Sequence, residues 1–300
     1  MKNRILFLVF IFLLSVYLMS FLPQETHFNL EKEKEITISL KQNDDSIIQL
    51  NLEDYIIGVV AAEMPALYEE EALKAQAIAS RSYAMNKVLN NKGNNYDLVV
   101  GVNNQAYITT EEMRNKWGQN YLLYFDKIKN AVMATKGLVI KNNGEIIAAY
   151  YFAISNGQTE DSKTVFGSSK DYLVSVDSSE DKNVKNYEVT TIYSYDDFCE
   201  ALNIACDDLR ITDILRSNTN HVSKITINNT VYTGVELRKI LNLRSTDFDI
   251  ELKGDIRITT RGYGHGVGMS QSGANELAKS GYNFEAILKH YYQNITISNI

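Results

Sequence analysis

Apolar and polar positions change period repeatedly along this chain, and each change predicts an element. Ile36, Ile38 and Leu40 alternate with polar residues, a strand pattern over 35–40. A polar turn at 41–45 leads to a second strand over 46–52. Asn51 suits a helix N-cap, and Glu53 and Asp54 follow where the helix dipole favours acids, so a helix is expected over 53–62. It must end near Met64, because the residue before Pro65 is pushed out of the helical region. A longer helix is expected over 70–90, its Ala72, Ala75, Ala79 and Ala84 suited to close packing. A short apolar strand over 98–102 and a helix over 121–135, stopped by Gly137, come next. Asn142-Asn143-Gly144 predicts a hairpin between strands at 138–141 and 145–152. The second of these runs into the hydroxyl- and amide-rich stretch ISNGQTEDS. Residues 177–255 are more polar, with a hairpin expected at Asn228-Asn229 and a short helix over 235–241. The loop RGYGHGVGMSQSGA and helices over 273–279 and 284–292 close the pattern, which shows no internal repeat.

One stretch stands apart from this alternation. Ile5 to Leu22 holds eighteen residues without a charge behind Lys2 and Arg4. That length suits the lower edge of a membrane span, and bulky Leu18, Met19, Phe21 and Leu22 stand where a signal-peptide cleavage site would need small residues. We therefore expect an uncleaved anchor with a cytoplasmic N-terminus over 1–24, a polar tether over 25–34 and an extracytoplasmic domain over 35–297. An oxidising exterior makes the two cysteines relevant. Cys199 and Cys206 lie in a segment with Phe198, Leu202 and Leu209 on one helical face. Seven residues on a straight helix separate Cα atoms by about 10 Å, beyond the reach of a disulfide, so the expectation is two buried thiols. The net charge of −7 argues against a nucleic-acid surface.

Chemistry centres on Glu63, whose neighbours are Val59, Val60, Ala61, Ala62, Met64 and Pro65. A carboxyl group in apolar company loses water and favours its protonated form, which makes it a proton donor. Glu69, Glu70 and Glu71 read as the solvated first turn of the next helix, and Glu160 and Asp161 as weak partners. A lone acid suits a reaction that needs no added water nucleophile. The glycine loop lets backbone approach a ligand, and His265, Ser270 and Gln271 within it are candidates to hold a polar one such as a sugar. A dinucleotide-binding reading lacks the required strand–helix context. A serine hydrolase lacks its nucleophile turn, since Ser155 sits in Ala-Ile-Ser-Asn-Gly. The four histidines are scattered without a His-x-x-x-His pair, so no metal site is expected.

Three ordered blocks carry a resemblance: GVVAAEMPALYEEEALKAQAIASRSYA, ISNGQTEDSKTVFG followed by DYLVSVDS, and RGYGHGVGMSQSGANELAKSGYNFEAILKHYY. With TGVELRKILNLRSTDF before the last, they resemble the stage II sporulation protein D family over roughly residues 35–295. The resemblance implies a membrane-anchored lytic transglycosylase. Such an enzyme cleaves the N-acetylmuramic acid–N-acetylglucosamine bond in peptidoglycan strands stripped of stem peptides, leaving 1,6-anhydro ends. It implies work beside a cell-wall amidase and membrane engulfment proteins during forespore engulfment. It assigns the catalytic acid to Glu63, and it matches Lys74, Arg81, Gln105, Tyr107, Ser155, Thr159, His265, Ser270 and Gln271 to positions that line the glycan groove. For Arg81 a structural ion pair is an equally open reading. Some clostridial relatives carry Cys-x-x-His-Cys before the glutamine; here Val100-Gly101-Val102-Asn103-Asn104 stands instead, so neither zinc nor any other cofactor is expected. Ser272 replaces an aromatic residue, and Phe152-Ala153-Ile154 a more polar run. The fold implied is α+β: helices mixed with short antiparallel strands in one large ectodomain, open to division into two lobes around a glycan cleft, behind a transmembrane helix. Two rivals stay in view, a non-catalytic glycan-binding scaffold and a water-using muramidase with a second acid.

Overall fold

The alternation at Ile36, Ile38 and Leu40 builds β1 (Thr37–Lys41), which turns back into antiparallel β2 (Ile47–Asn51) in the computed structural model, where residues 35–91, 93–101 and 104–300 are described. The Asn51 side chain accepts the Glu53 N–H and starts α1 (Leu52–Glu63), a helix buried almost all round. Such a helix belongs in a core rather than at a surface. It packs against α2 (Glu70–Asn90), whose Ala72, Ala75, Ala77 and Ala79 are all fully buried and let the two backbones come close. β3 (Leu98–Val99) adds to β1 in parallel. α3 (Thr110–Trp117) is opened by reciprocal Thr109–Glu112 capping, and α4 (Tyr121–Ala134) follows it. The cap of α3 sits in an otherwise polar segment that gives no apolar period.

β4 (Leu138–Asn142) and β5 (Glu145–Ile146) form the hairpin, turning on Asn143 and Gly144, both at positive φ. The second strand is much shorter than the expected 145–152. Tyr151 and Phe152 instead form β6 (Tyr151–Phe152), and α5 (Ser162–Phe166) follows.

From β7 (Glu188–Tyr193) the chain builds a second, separate core. α6 (Tyr195–Leu202), β8 (Ile211–Arg216), β9 (Val222–Ile227), β10 (Thr230–Thr233), α7 (Gly234–Ile240), β11 (Phe248–Lys253) and β12 (Asp255–Arg261) complete it. Two three-stranded antiparallel sheets, β10-β9-β8 and β11-β12-β7, enclose Phe198, Ile225, Leu237, Phe248 and Ile258. Asn228 and Asn229, both at positive φ, turn the β9–β10 hairpin as expected. Entry and exit of this lobe meet: Arg261 pairs with Glu188, and the Gly262 N–H donates to the Tyr187 carbonyl at 2.8 Å.

The chain then returns to the first core. β13 (Met269–Ser270) lies parallel to β6, α8 (Gln271–Lys279) starts at once, α9 (Phe284–Tyr291) follows, and β14 (Thr296–Asn299) closes on β4. The architecture is mixed α+β, but the strands are not all antiparallel: β1–β3 and β6–β13 are parallel pairs. Residues 36–300 form one compact unit by contacts, holding two hydrophobic clusters. Among the described residues no helix is long and apolar enough to cross a membrane, and the expected anchor at 5–22 lies outside them.

The cysteines correct one expectation. α6 stops at Leu202, Asn203 takes a left-handed conformation, and the Ile204 N–H returns to the Cys199 carbonyl. The premise of a straight helix fails at that cap. Cys206 comes to 5.8 Å from Cys199, Cα to Cα, and the two form a disulfide. For so short a loop, replacing both by serine is expected to cost about 2 kcal/mol. A calorimetric scan should show the lower melting temperature, and reductant should lower the wild type to match.

Candidate functional site

Glu63 is the last residue of α1, and Met64 is already extended before Pro65. The chain therefore turns away just after the carboxylate, leaving its side chain between elements. Its Oε1 accepts the Ala106 N–H at 3.0 Å. The side-chain amide of Gln271, at the start of α8, is the second hydrogen-bonding group acting on it. Lys116, at the end of α3, donates to the Ala61 carbonyl at 2.9 Å and brings a positive charge to the same helix end. Burial pushes the Glu63 carboxyl above its ordinary value, while Ala106, Gln271 and Lys116 pull the other way. A desolvated acid with donors ready for its anion is equipped to give a proton and to take one back.

A web of amides and phenols supports this position. Gln105 Nε2 donates to Tyr151 Oη at 2.9 Å and to the Ser80 carbonyl at 3.2 Å, and Tyr55 Oη donates to Gln105 Oε1 at 3.2 Å. The Tyr107 ring stacks on Tyr55 with centroids 5.6 Å apart. Gln271 Nε2 reaches Gln76 Oε1 at 3.3 Å, and Gln76 Nε2 reaches Ser80 Oγ at 3.0 Å. Burial raises the hydroxyls of Tyr55 and Tyr151, and the Glu63 charge raises both further. Both stay neutral, Tyr55 donating to Gln105 Oε1 and Tyr151 accepting from Gln105 Nε2.

The structure thus gathers Glu63, Gln105, Tyr107 and Gln271 into one cluster, and it places the other candidates elsewhere. Arg81 is fully buried, with Nε and Nη2 on Glu53 at 3.0 and 2.5 Å, Nη1 on the Leu138 carbonyl and Nη2 also on that of Val132. That is the ion pair left open by the sequence. Lys74 pairs with Glu70 and Glu71, both at 2.8 Å, and Glu71 also accepts the Phe284 N–H, tying α2 to α9. Ser155 and Thr159 are buried, and their hydroxyls bond backbone: Ser155 the Gly157 N–H and, beyond α5, the Ser178 carbonyl, Thr159 the Val176 N–H of that same later segment. Ser270 caps α8 by accepting the Gly273 N–H. His265 is half-buried rather than exposed, its ring among Tyr150, Phe152 and Phe166, with Nδ1 accepting the Val267 N–H. Burial lowers it to about 4, so it is neutral at physiological pH.

The glycine loop works mainly by close approach. At Gly268, φ is +82° and a Cβ would overlap the Tyr150 carbonyl oxygen, so only glycine lets β13 pair with β6. Glu160 belongs to a different buried group, with its Oε1 accepting from Ser217 and standing 4.0 Å from His221 Nε2. Among the described residues no group of three or more His, Cys, Asp or Glu side chains is placed to hold a metal ion.

Sequence reasoning missed Gln76, Lys116 and Tyr151. Gln76 carried a usable signal: an amide set among alanines in a helix must find a partner when buried. Lys116 lay on a helix with no apolar period. Tyr151 enters the site only through the two-residue pairing of β6 with β13.

Fold and site together define an α+β protein in which one desolvated carboxylic acid, Glu63, stands among amide and phenol groups. The family model described as "Stage II sporulation protein" matches residues 41–141, the segment that holds Glu63 and Gln105. Over 264 residues the chain is 38% identical to stage II sporulation protein D of Bacillus subtilis, covering 85% of this chain and 76% of that protein. It is 36% identical over 277 residues to stage II sporulation protein D of Bacillus amyloliquefaciens, covering 89% and 80%. A more distant similarity, 26% over 299 residues, covers 81% of this chain and 40% of the amidase enhancer of Bacillus subtilis. The chain belongs to the stage II sporulation protein D family.

Proposed function

We propose that the chain is a lytic transglycosylase of the cell wall, anchored to the cell membrane by residues 5–22 with its catalytic domain outside. Its substrate is the peptide-stripped glycan strand of peptidoglycan, and its setting is forespore engulfment beside an amidase and membrane engulfment proteins. The observation that carries this reading is the environment of Glu63: burial that favours the acid, beside an N–H and an amide that favour the anion. The protonated carboxyl gives its proton to the glycosidic oxygen, whose bond to C1 of the muramic sugar breaks so that the neighbouring N-acetylglucosamine leaves with that oxygen as a hydroxyl. The carboxylate that remains, held by Ala106 and Gln271, takes the proton from the muramic 6-hydroxyl as that oxygen closes on C1. The substrate brings its own nucleophile, so the second carboxylate that a hydrolase needs is not required.

Incubating the protein with stripped strands and weighing the products by mass spectrometry separates the readings. Anhydro ends support the transglycosylase, reducing ends point to a muramidase, and intact strands point to a glycan-binding scaffold. The pH profile gives a further check. A donor must be protonated, so the rate falls as pH rises through the carboxyl's own value. Because burial raises that value, the fall should begin above the range of an ordinary glutamate. A profile that already declines at the usual glutamate range would assign the proton to another group.

A further inference from the structure

Asp181 is fully buried, lies far from Glu63 in sequence, and has no part in the chemistry above. Its Oδ2 accepts the Ser155 N–H at 3.0 Å and the Ser178 hydroxyl at 3.0 Å, and Ser178 Oγ is 2.9 Å from Tyr291 Oη. Its Oδ1 is buried with no partner in hydrogen-bond range among the described residues. The carboxylate stands against the first turn of α8. A Cβ on Gly273 would collide with Tyr291 Oη and Ser178 Oγ and come within 3.3 Å of Asp181 Oδ2. Ser270, which caps that turn, is a further hydrogen-bonding influence on the same carboxyl. Tyr68, Tyr187 and Tyr291 face Asp181 from neighbouring segments, and Glu180 and Asp177 lie close to Tyr291 as well.

A buried carboxylate with one unsatisfied oxygen is costly unless something else answers its charge. Here the nearest partial positive charge is the N-terminal turn of α8: its Gly273 N–H is taken by Ser270 and its Ser272 N–H by the Ala153 carbonyl, so the turn answers through the helix dipole and its close packing at Gly273 rather than through a hydrogen bond. The first residue of this turn, directly after the cap Ser270, is Gln271, whose amide acts on Glu63. We propose that Asp181 is a positioning residue for the acid: by pinning the first turn of α8 through Ser270 and Gly273, it keeps the Gln271 amide on Glu63. This rests on reading Glu63 as the acid of the site. The serines are part of the same device, since Ser155 and Ser178 fix the carboxylate that fixes the helix.

The test compares the full chain with Asp181→Asn, Gln271→Ala and the double variant. One readout is the titration of Glu63, followed by carbon-13 NMR of glutamate-labelled protein and assigned by the signal lost in Glu63→Gln. Gln271→Ala removes a group that holds the carboxyl down, so its midpoint should rise. Asp181→Asn should raise it in the same direction. In the Gln271→Ala background Asp181→Asn should add nothing, because the two act through one amide. An unchanged midpoint in Asp181→Asn, or an equal added shift in the double variant, overturns the proposal. If Asp181→Asn does not fold, Ser270→Ala is judged by the same two criteria. The rate on stripped strands is the second readout, and it should fall in Asp181→Asn with its pH limb displaced as the titration is. Strands left intact by every protein, wild type included, would defeat the transglycosylase reading while the titration still decides the role of Asp181.

Discussion

Glu63→Gln should reduce cleavage of stripped glycan strands by roughly a thousandfold, the scale on which a positioned acid contributes. The amide matches the carboxyl in shape, and its oxygen can still accept the Ala106 N–H. It can neither give a proton to the leaving oxygen nor take one from the 6-hydroxyl. The substitution removes a carboxyl from a site that disfavours its charge, so the fold should melt at the wild-type temperature or slightly above it. Product release by mass spectrometry and a thermal scan on the same sample read both effects. A variant that keeps more than a tenth of the rate would place the acid elsewhere, and one that unfolds would leave loss of activity without chemical meaning.

Arg81→Met should be the most damaging substitution to stability. It leaves the Glu53 carboxylate buried with the Gly137 N–H and no cation, a situation that costs about 3–5 kcal/mol. For a chain of this size that corresponds to a fall of roughly 10 °C in melting temperature. Arg81→Lys should recover little, because an ammonium cannot span Glu53 and the carbonyls of Leu138 and Val132 together. Replacing Glu53 and Arg81 together by Leu and Met should restore much of the loss, since no charge is then stranded. A single variant that melts with the wild type would show that the pair bears no structural load.

The legible parts of this sequence were those governed by local chemistry. Asn51 announced a helix start, Pro65 a helix end, and Asn143-Gly144 and Asn228-Asn229 two hairpins, and all four stand as read. The parallel pairs were not legible, because two-residue strands leave no period and their partners lie far along the chain. The disulfide was hidden by a single residue: nothing in the apolar pattern shows that Asn203 turns left-handed and ends the helix. The strands at Phe248–Lys253 and Asp255–Arg261 alternate in the sequence too, but the polar stretch they sit in masks the pattern. At the site, Glu63 was legible as a lone carboxyl in an apolar run. Gln271 was legible as an amide in the glycine loop and Gln105 came from resemblance, while Lys74, Arg81, Ser155 and Thr159 share the matched motifs yet serve backbone and ion pairs.

The meeting of Tyr187 with Gly262 makes the second lobe a closed excursion rather than a link in the chain between Glu63 and Gln271. A segment whose ends already touch adds little to the entropy of bringing more distant residues together, whatever its own length. Insertions or deletions in the lobe's outer hairpins, away from the Ser217, Thr219, His221 and Asp247 that reach Glu160 and Asn156, are then changes made at a distance from the acid. The acid keeps its amide partner so long as the neck stays shut.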